Sequence, residues 1–225
     1  MTDTKDVGQS AGFQLVPASR FLIFAVVAGL GCYLDLLSKR LVFQWRGMPG
    51  ELPIWWLWQE KIGIETSLNT GALFGLGQNK VLFFAIFSFI ALFGILAWFA
   101  LAGGGRDLFL TLVLACVTGG ILGNLYDRLG LWEPSFAVPE NRQLAEEMAR
   151  GGEFEYSRNA VRDWIRLSYG RFVWPNFNVA DCLLVCGAVA LVWHSFRTQK
   201  SGEPNPSPSH DHSTGATSGS GSAGK

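Results

Sequence analysis

Asp181 lies at the mouth of a long apolar run, in Trp174-Pro175-Asn176-Phe177-Asn178-Val179-Ala180-Asp181. An ionisable side chain at the edge of hydrocarbon is costly, so it commonly carries a function or a partner. Other polar residues sit at comparable edges: Asp35 with Lys39, Asn69, the group Asn124, Asp127 and Arg128, and Asn178. Two carboxylates in one partly dry site do not both ionise readily. One keeps its proton, and the pair can divide acid and base roles. Such a pair titrates jointly and can activate water against a peptide carbonyl, with help worth roughly 10²–10⁴-fold in rate. Fixed Asn or Arg donors add stabilisation of the developing oxyanion.

Other chemistries fit worse. The chain has no H-E-x-x-H motif or Cys/His cluster for a metal. No histidine stands near the polar group to serve a Ser-His-Asp arrangement, and there is no G-x-x-x-x-G-K phosphate loop. His210 and His212 fall in a polar tail. Cys32, Cys116, Cys182 and Cys186 all fall in apolar runs, where cysteine behaves as a small hydrophobe. Neither a metal nor a cofactor is expected.

The elements that must position these residues are membrane spans. Of 225 residues 49% are hydrophobic and 16% charged, against roughly 25% charged in an average soluble domain. Net charge is zero, which removes the electrostatic case for nucleic acid. The apolar residues come in blocks: Val81 to Ala102 and Leu108 to Tyr126 contain no charge, and a span needs about 20 such residues. Four spans are expected, at about 20–42, 81–102, 108–130 and 179–197. A polar lead-in covers 1–19, long loops cover 43–80 and 131–178, and a Ser/Gly/Pro-rich tail covers 198–225, with the composition of a disordered segment. Trp55-Trp56-Leu57-Trp58 suits the membrane interface. Pro139 to Arg150, followed by Gly151-Gly152, reads as a helix within the second loop.

With four spans, the end of the first, the start of the second, the end of the third and the start of the fourth share one face. All the unusual polar residues fall there, beside both long loops, whichever way the protein is oriented. Asp35 and Lys39 are four apart, acid first, and read as a neutralising pair. Arg128 beside Asp127 reads as a similar pair. Gly119, Gly120 and Gly123 predict close packing of the third span on a neighbour. Charge leaves the orientation open, because the second loop carries six Arg and seven acids. A rival from another class is a small transporter or channel component using the Asp/Lys cluster as a proton or ion relay. Relays usually sit near the midplane, whereas these residues gather at one face.

The motifs resemble those of the lipoprotein signal peptidases (signal peptidase II), bacterial aspartic membrane peptidases. Four blocks match in order over about residues 20–197. Asp35-Leu36-Leu37-Ser38-Lys39 resembles the family's D-x-x-[ST]-K, and Asn69-Thr70-Gly71-Ala72-Leu73-Phe74-Gly75 resembles N-T-G-A-x-F-G. Gly119 to Arg128 (GGILGNLYDR) resembles G-G-x-x-G-N-x-x-D-R, and Phe177-Asn178-Val179-Ala180-Asp181 resembles F-N-x-A-D. The resemblance implies an all-α membrane protein of four transmembrane helices, with a small β-like interfacial platform from the first long loop. It implies a monomer in the bacterial inner membrane that meets membrane lipids. Its substrates would be diacylglyceryl-modified prolipoproteins, cut just before the lipid-modified cysteine. Both tails would be cytoplasmic, with the site near the outer leaflet.

One block departs from the family pattern. An Asp in a V-x-D-[FM]-I block normally follows the D-R closely. Here the nearest match is Val161-Arg162-Asp163-Trp164-Ile165, beyond an insertion between Arg128 and about Asn159. The resemblance therefore implies Asp163 and Asp181 as the catalytic pair, with Asp127 the rival for the first position. It implies that Asn124, Arg128 and Asn178 orient the pair or the substrate, and that Asn69 and Gly71 meet the substrate from the loop. Asp35, Lys39, Asp127, Gly120 and Ala180 would be supports. The insertion would either cap the site or decorate the surface.

Overall fold

The structure, a computed structural model, describes residues 15–71, 80–138, 140–141 and 158–200. Residues 1–14 of the lead-in, Ala72 to Gly75 of the loop motif, most of the helix expected at 139–150, and the tail with His210 and His212 lie outside the described residues.

Four long helices dominate: α1 (Ala18–Arg46), α2 (Val81–Ala100), α3 (Leu108–Arg128) and α4 (Val179–Lys200). Each is long and apolar enough to cross a membrane. Helix α1 runs four residues beyond the expected 42. Its last turn carries Arg46, a favourable charge for a helix C-terminus. Helix α3 starts on Asp107, whose side chain accepts from the Leu110 N–H at 2.7 Å, an N-cap that removes one orphan donor. It stops at Arg128, short of the expected 130. Gly130 follows at φ 68°, a backbone region that glycine enters without strain.

Helix α3 is the central helix, packed against α1, α2 and α4. Its glycines explain how. A Cβ on Gly119 would stand 2.8 Å from the Ala28 carbonyl oxygen of α1, and one on Gly120 would stand 2.7 Å from the Ala180 oxygen of α4. One on Gly123 would collide with the Asp35 carboxylate. Small residues thus let three backbones approach closely enough to pack without a water-driven hydrophobic force. By contrast α2 exposes Leu82, Phe83, Ile86, Phe87, Ile90 and Phe93, as a lipid-facing helix does.

A four-stranded antiparallel sheet, β1 (Trp55–Trp58), β2 (Ile62–Asn69), β3 (Val161–Tyr169) and β4 (Phe172–Phe177), lies in sequential order. The small platform expected beside the four helices is present, and the first loop supplies β1 and β2. The second loop supplies half of it, because β2 pairs with β3 and sets Asn69 opposite Val161 and Ser67 opposite Asp163. The tryptophan run is β1 itself, an edge strand with Trp55, Leu57 and Trp58 exposed. Beneath the sheet, buried Phe43, Met48 and Trp132 form a small core with Tyr126 and Trp164 at its edge.

Candidate active site

The site begins with the first turn of α4. Asn178 precedes the helix. Its Oδ1 accepts from the Asp181 N–H at 3.0 Å, while the Asn178 N–H donates to Asp181 Oδ2 at 3.2 Å. This is a reciprocal capping box: each side chain satisfies the other's backbone donor. It holds Asp181 within the first turn, where the helix dipole favours a negative charge. The motif spacing in Asn178-Val179-Ala180-Asp181 is therefore a helix-start geometry.

Asn178 also reaches the sheet. Its Nδ2 donates to Asp163 Oδ1 at 2.6 Å, so one residue holds both carboxyl groups, that of Asp163 by its side-chain amide and that of Asp181 by its backbone N–H. Asp163 stands on β3 and is 2% exposed. Its other oxygen accepts from Asn69 Nδ2 at 3.1 Å. Asn69 Oδ1 in turn accepts from the Gly71 N–H at 3.0 Å, and Arg128 donates to the Gly71 carbonyl at 3.3 Å. The Arg128 guanidinium lies over the Phe84 ring, 5.2 Å from its centroid, within cation–π range. From α3, Asn124 Nδ2 donates to Asp181 Oδ1 at 2.9 Å. Burial, and then the Asp181 charge, push the Asp163 carboxyl up from 3.8 to about 7, against the hydrogen bonds from Asn69 and Asn178 and the Lys39 charge. Desolvation raises an acid because it penalises the ionised form.

A second, fully buried cluster lies behind this one. Lys39 Nζ stands 2.7 Å from Asp35 Oδ2 and 3.2 Å from Asp127 Oδ2. Asp35 Oδ1 accepts from the Ala180 N–H at 2.8 Å, tying α1 to α4. Asp127 does not pair with its neighbour Arg128, as the adjacent charges suggested. It accepts from the Arg162 backbone at 3.0 Å and from the Arg162 guanidinium at 2.7 and 3.1 Å. The physical reason is the strand alternation of β3: Arg162 and Asp163 point to opposite sides, one to Asp127 and the other to the Asn178 bridge. Arg162 was missed as a functional neighbour by sequence reasoning. An arginine flanking the aspartate on a strand, with an unassigned acid at the end of α3, was the available signal.

The cleft at Asp181 is about 50 Å³, room for a few waters, with Asp163 behind its lining, bonded to Asn69. Asn69, Gly71, Asn124, Arg128 and Asp181 line it, with Asn176 and Phe177 from β4. A larger apolar groove of about 360 Å³ runs between α2, α3 and α4 and shares Asn124 and Arg128 with the cleft. Among the described residues no group of three or more His, Cys, Asp or Glu is disposed to hold a metal ion.

Residues 27–197 match the family model described as Signal peptidase (SPase) II. The chain is 42% identical over 197 residues to a lipoprotein signal peptidase of Rhodopirellula baltica, covering 87% of this chain and 79% of that one. It is 28% identical to one of Syntrophus aciditrophicus, covering 80% of this chain and 95% of that one. Its fold resembles a bacterial membrane enzyme solved by the in meso method at 2.3 Å resolution, with TM-score 0.61 and 18% identity over 81% of this chain and 93% of that one. With a matching family model over most of its length, the four apolar helices and the amide-bridged aspartates at their shared end, this chain belongs to the signal peptidase II family of membrane peptidases.

Proposed function

We propose that this protein removes signal peptides from diacylglyceryl-modified prolipoproteins, cutting before the lipid-modified cysteine with a water activated by Asp163 and Asp181. Family membership supports the substrate class. The observation that carries the two-aspartate reading is the Asn178 bridge, which holds one carboxyl by its amide and the other by a capping box. The rival Asp127 is 0% exposed and neutralised by Lys39 and Arg162, so it has no free oxygen for water.

The roles divide by environment. Asp181 receives two donors, stands at a helix N-terminus and lines the cleft, so it is the partner placed to take a proton from water. Asp163 is buried and holds its proton to about 7. Asp181 takes a proton from water as the oxygen attacks the scissile carbonyl carbon. Asp163 gives its proton to the carbonyl oxygen, forming a tetrahedral diol. Asp163 then recovers a hydroxyl proton, Asp181 protonates the leaving nitrogen, and the C–N bond breaks. Arg128 and Asn69 flank the cleft and would orient the substrate backbone. The apolar groove beside them suits an acyl chain or an apolar peptide segment. Arg128 and Asp181 stand at helix ends and Asp163 on the sheet, an arrangement that favours surface hydrolysis over an ion relay. The orientation proposed is cytoplasmic tails with the sheet at the outer face.

Purified protein with a diacylated prolipoprotein tests this. Asp163→Asn and Asp181→Asn should each lower cleavage by about 10²–10⁴-fold. Asp127→Asn should lower the melting temperature and keep measurable turnover. No cleavage by folded wild type sinks the peptidase reading. Retained activity in Asp163→Asn, with full loss in a folded Asp127→Asn, sinks this pair.

A further inference from the structure

Hydrolysis by the carboxyl pair engages Asn124 but leaves Lys39 without a role, although Lys39 is fully buried. Three oxygens surround its ammonium: Asp35 Oδ2 at 2.7 Å, Asn124 Oδ1 at 2.9 Å and Asp127 Oδ2 at 3.2 Å. An ammonium has three N–H groups and no acceptor. The Asn124 amide must therefore turn its oxygen to Lys39, and Asn178 Nδ2 reinforces that sense by donating to the same oxygen at 3.2 Å. The amide nitrogen is left facing Asp181 Oδ1 at 2.9 Å. A flipped amide would set donor against donor at Lys39 and oxygen against oxygen at Asp181. Both are costly in a buried site.

We propose that Lys39 is a positioning residue for hydrolysis, acting through Asn124: its ammonium fixes the amide so that the NH₂ group stays on Asp181. This rests on the two-aspartate reading given above. The cluster behind the amide contains two acids and two bases, Asp35 and Asp127 with Lys39 and Arg162, so its formal charge is balanced. Its link to the carboxyl pair runs from Lys39 through Asn124. The charged groups facing the pair are Lys39 from α1 and Arg128 from α3. Asp35 and Asp127 stand behind Lys39, and Arg162 of β3 behind Asp127. With the amide locked, Asp181 keeps its donor at 2.9 Å. With it free, the amide oxygen can swing toward the carboxylate and that donor is lost.

The test is the charge-balanced double variant Asp35→Asn with Lys39→Met, which keeps an acceptor for the Ala180 N–H and strands no lone charge. Melting in detergent, kcat, KM and the pH profile are measured on a diacylated prolipoprotein. The expected result is a kcat loss of about tenfold with KM within about twofold, and a displaced acid limb. A merely structural role lowers the melting temperature and leaves the acid limb in place. Adding Asn124→Ala should cost little more in this background than the double variant alone, because coupled residues are non-additive. An unmoved acid limb, or fully additive losses, overturns the inference. If the double variant does not fold, the wild type decides. With ¹⁵N-labelled asparagine, the Asn124 side-chain NH₂ signals should shift with the acid limb of activity, and a pH-independent signal overturns the inference. Asp163→Asn and Asp181→Asn run alongside. Cleavage retained by them sinks the two-aspartate reading itself, whereas their inactivity beside an unaltered double variant sinks only the role of Lys39.

Discussion

Asp163 and Asp127 are both almost fully buried carboxyls, 2% and 0% exposed, yet their surroundings differ in kind. Asp127 meets a lysine and an arginine, while Asp163 meets two neutral amides. Paired burial removes a charge from chemistry, and unpaired burial makes a proton available. The unpaired state has a consequence for stability. Below its ordinary value of 3.8 the Asp163 carboxyl is protonated in folded and unfolded chains alike. As pH rises from there to about 7, the unfolded chain releases the proton and the folded one keeps it, so stability falls. Above about 7 both states are ionised and the loss is constant. Melting of wild type in detergent should therefore decline across that window, and Asp163→Asn should remove its share of the slope. Equal slopes in the two proteins would show that Asp163 is not held protonated. The proposed mechanism uses the same proton, so cleavage by wild type should fall as pH rises past about 7.

At the scale of elements, the site depends on how near α4 comes to α3. Asp181 and Asn178 start α4, Asn124 ends α3, and Gly120 lies one helical turn below Asn124 against the Ala180 oxygen. That oxygen would stand 2.7 Å from a methyl added at Gly120, and a backbone atom cannot swing aside as a side chain would. Gly120→Val should therefore separate the helices at a cost of about 1–3 kcal/mol, and lengthen the Asn124–Asp181 contact as well. Both the melting temperature and kcat should drop, with Gly120→Ala intermediate. A Gly120→Val protein with wild-type kcat would show that the close approach serves packing alone. The sheet contributes in the same manner. Asp163 takes its place because Ser67 of β2 pairs with it across the ladder, so the first loop positions a residue of the second.

At the scale of the whole molecule, the polar cluster, the sheet and the described parts of both long loops lie at one end of the four helices. The opposite end carries the short Gly104–Arg106 turn and a small apolar core around Phe24, Phe99 and Leu114. The proposed orientation sets the sheet outside. A fluorescent protein fused to the C-terminus should fold and fluoresce in the cytoplasm. Alkaline phosphatase placed between residues 142 and 157 should be active only if that loop is exported. The reverse pattern would place the site inside and exclude a prolipoprotein substrate presented at the outer leaflet.

Much of this design is local and therefore legible in the residues alone. Uncharged runs of helical length make spans because unpaired backbone groups cannot lie in lipid. Parity then gathers Asp35, Lys39, Asn69, Asn124, Asp127, Arg128, Asn178 and Asp181 at one face without any knowledge of packing. The glycines of α3 announce close contact by their spacing. Partner choice was not local. Adjacent charges suggested an Asp127–Arg128 pair, but Asp127 binds Arg162, 35 positions away. The first loop suggested a platform, and the second loop adds the other two strands of its sheet. Strand register decides both outcomes, because it sends Arg162 to one side of β3 and Asp163 to the other. Only the folded chain, by pairing strands of two long loops in one ladder, separates the buried ion cluster from the carboxyl pair joined through Asn178.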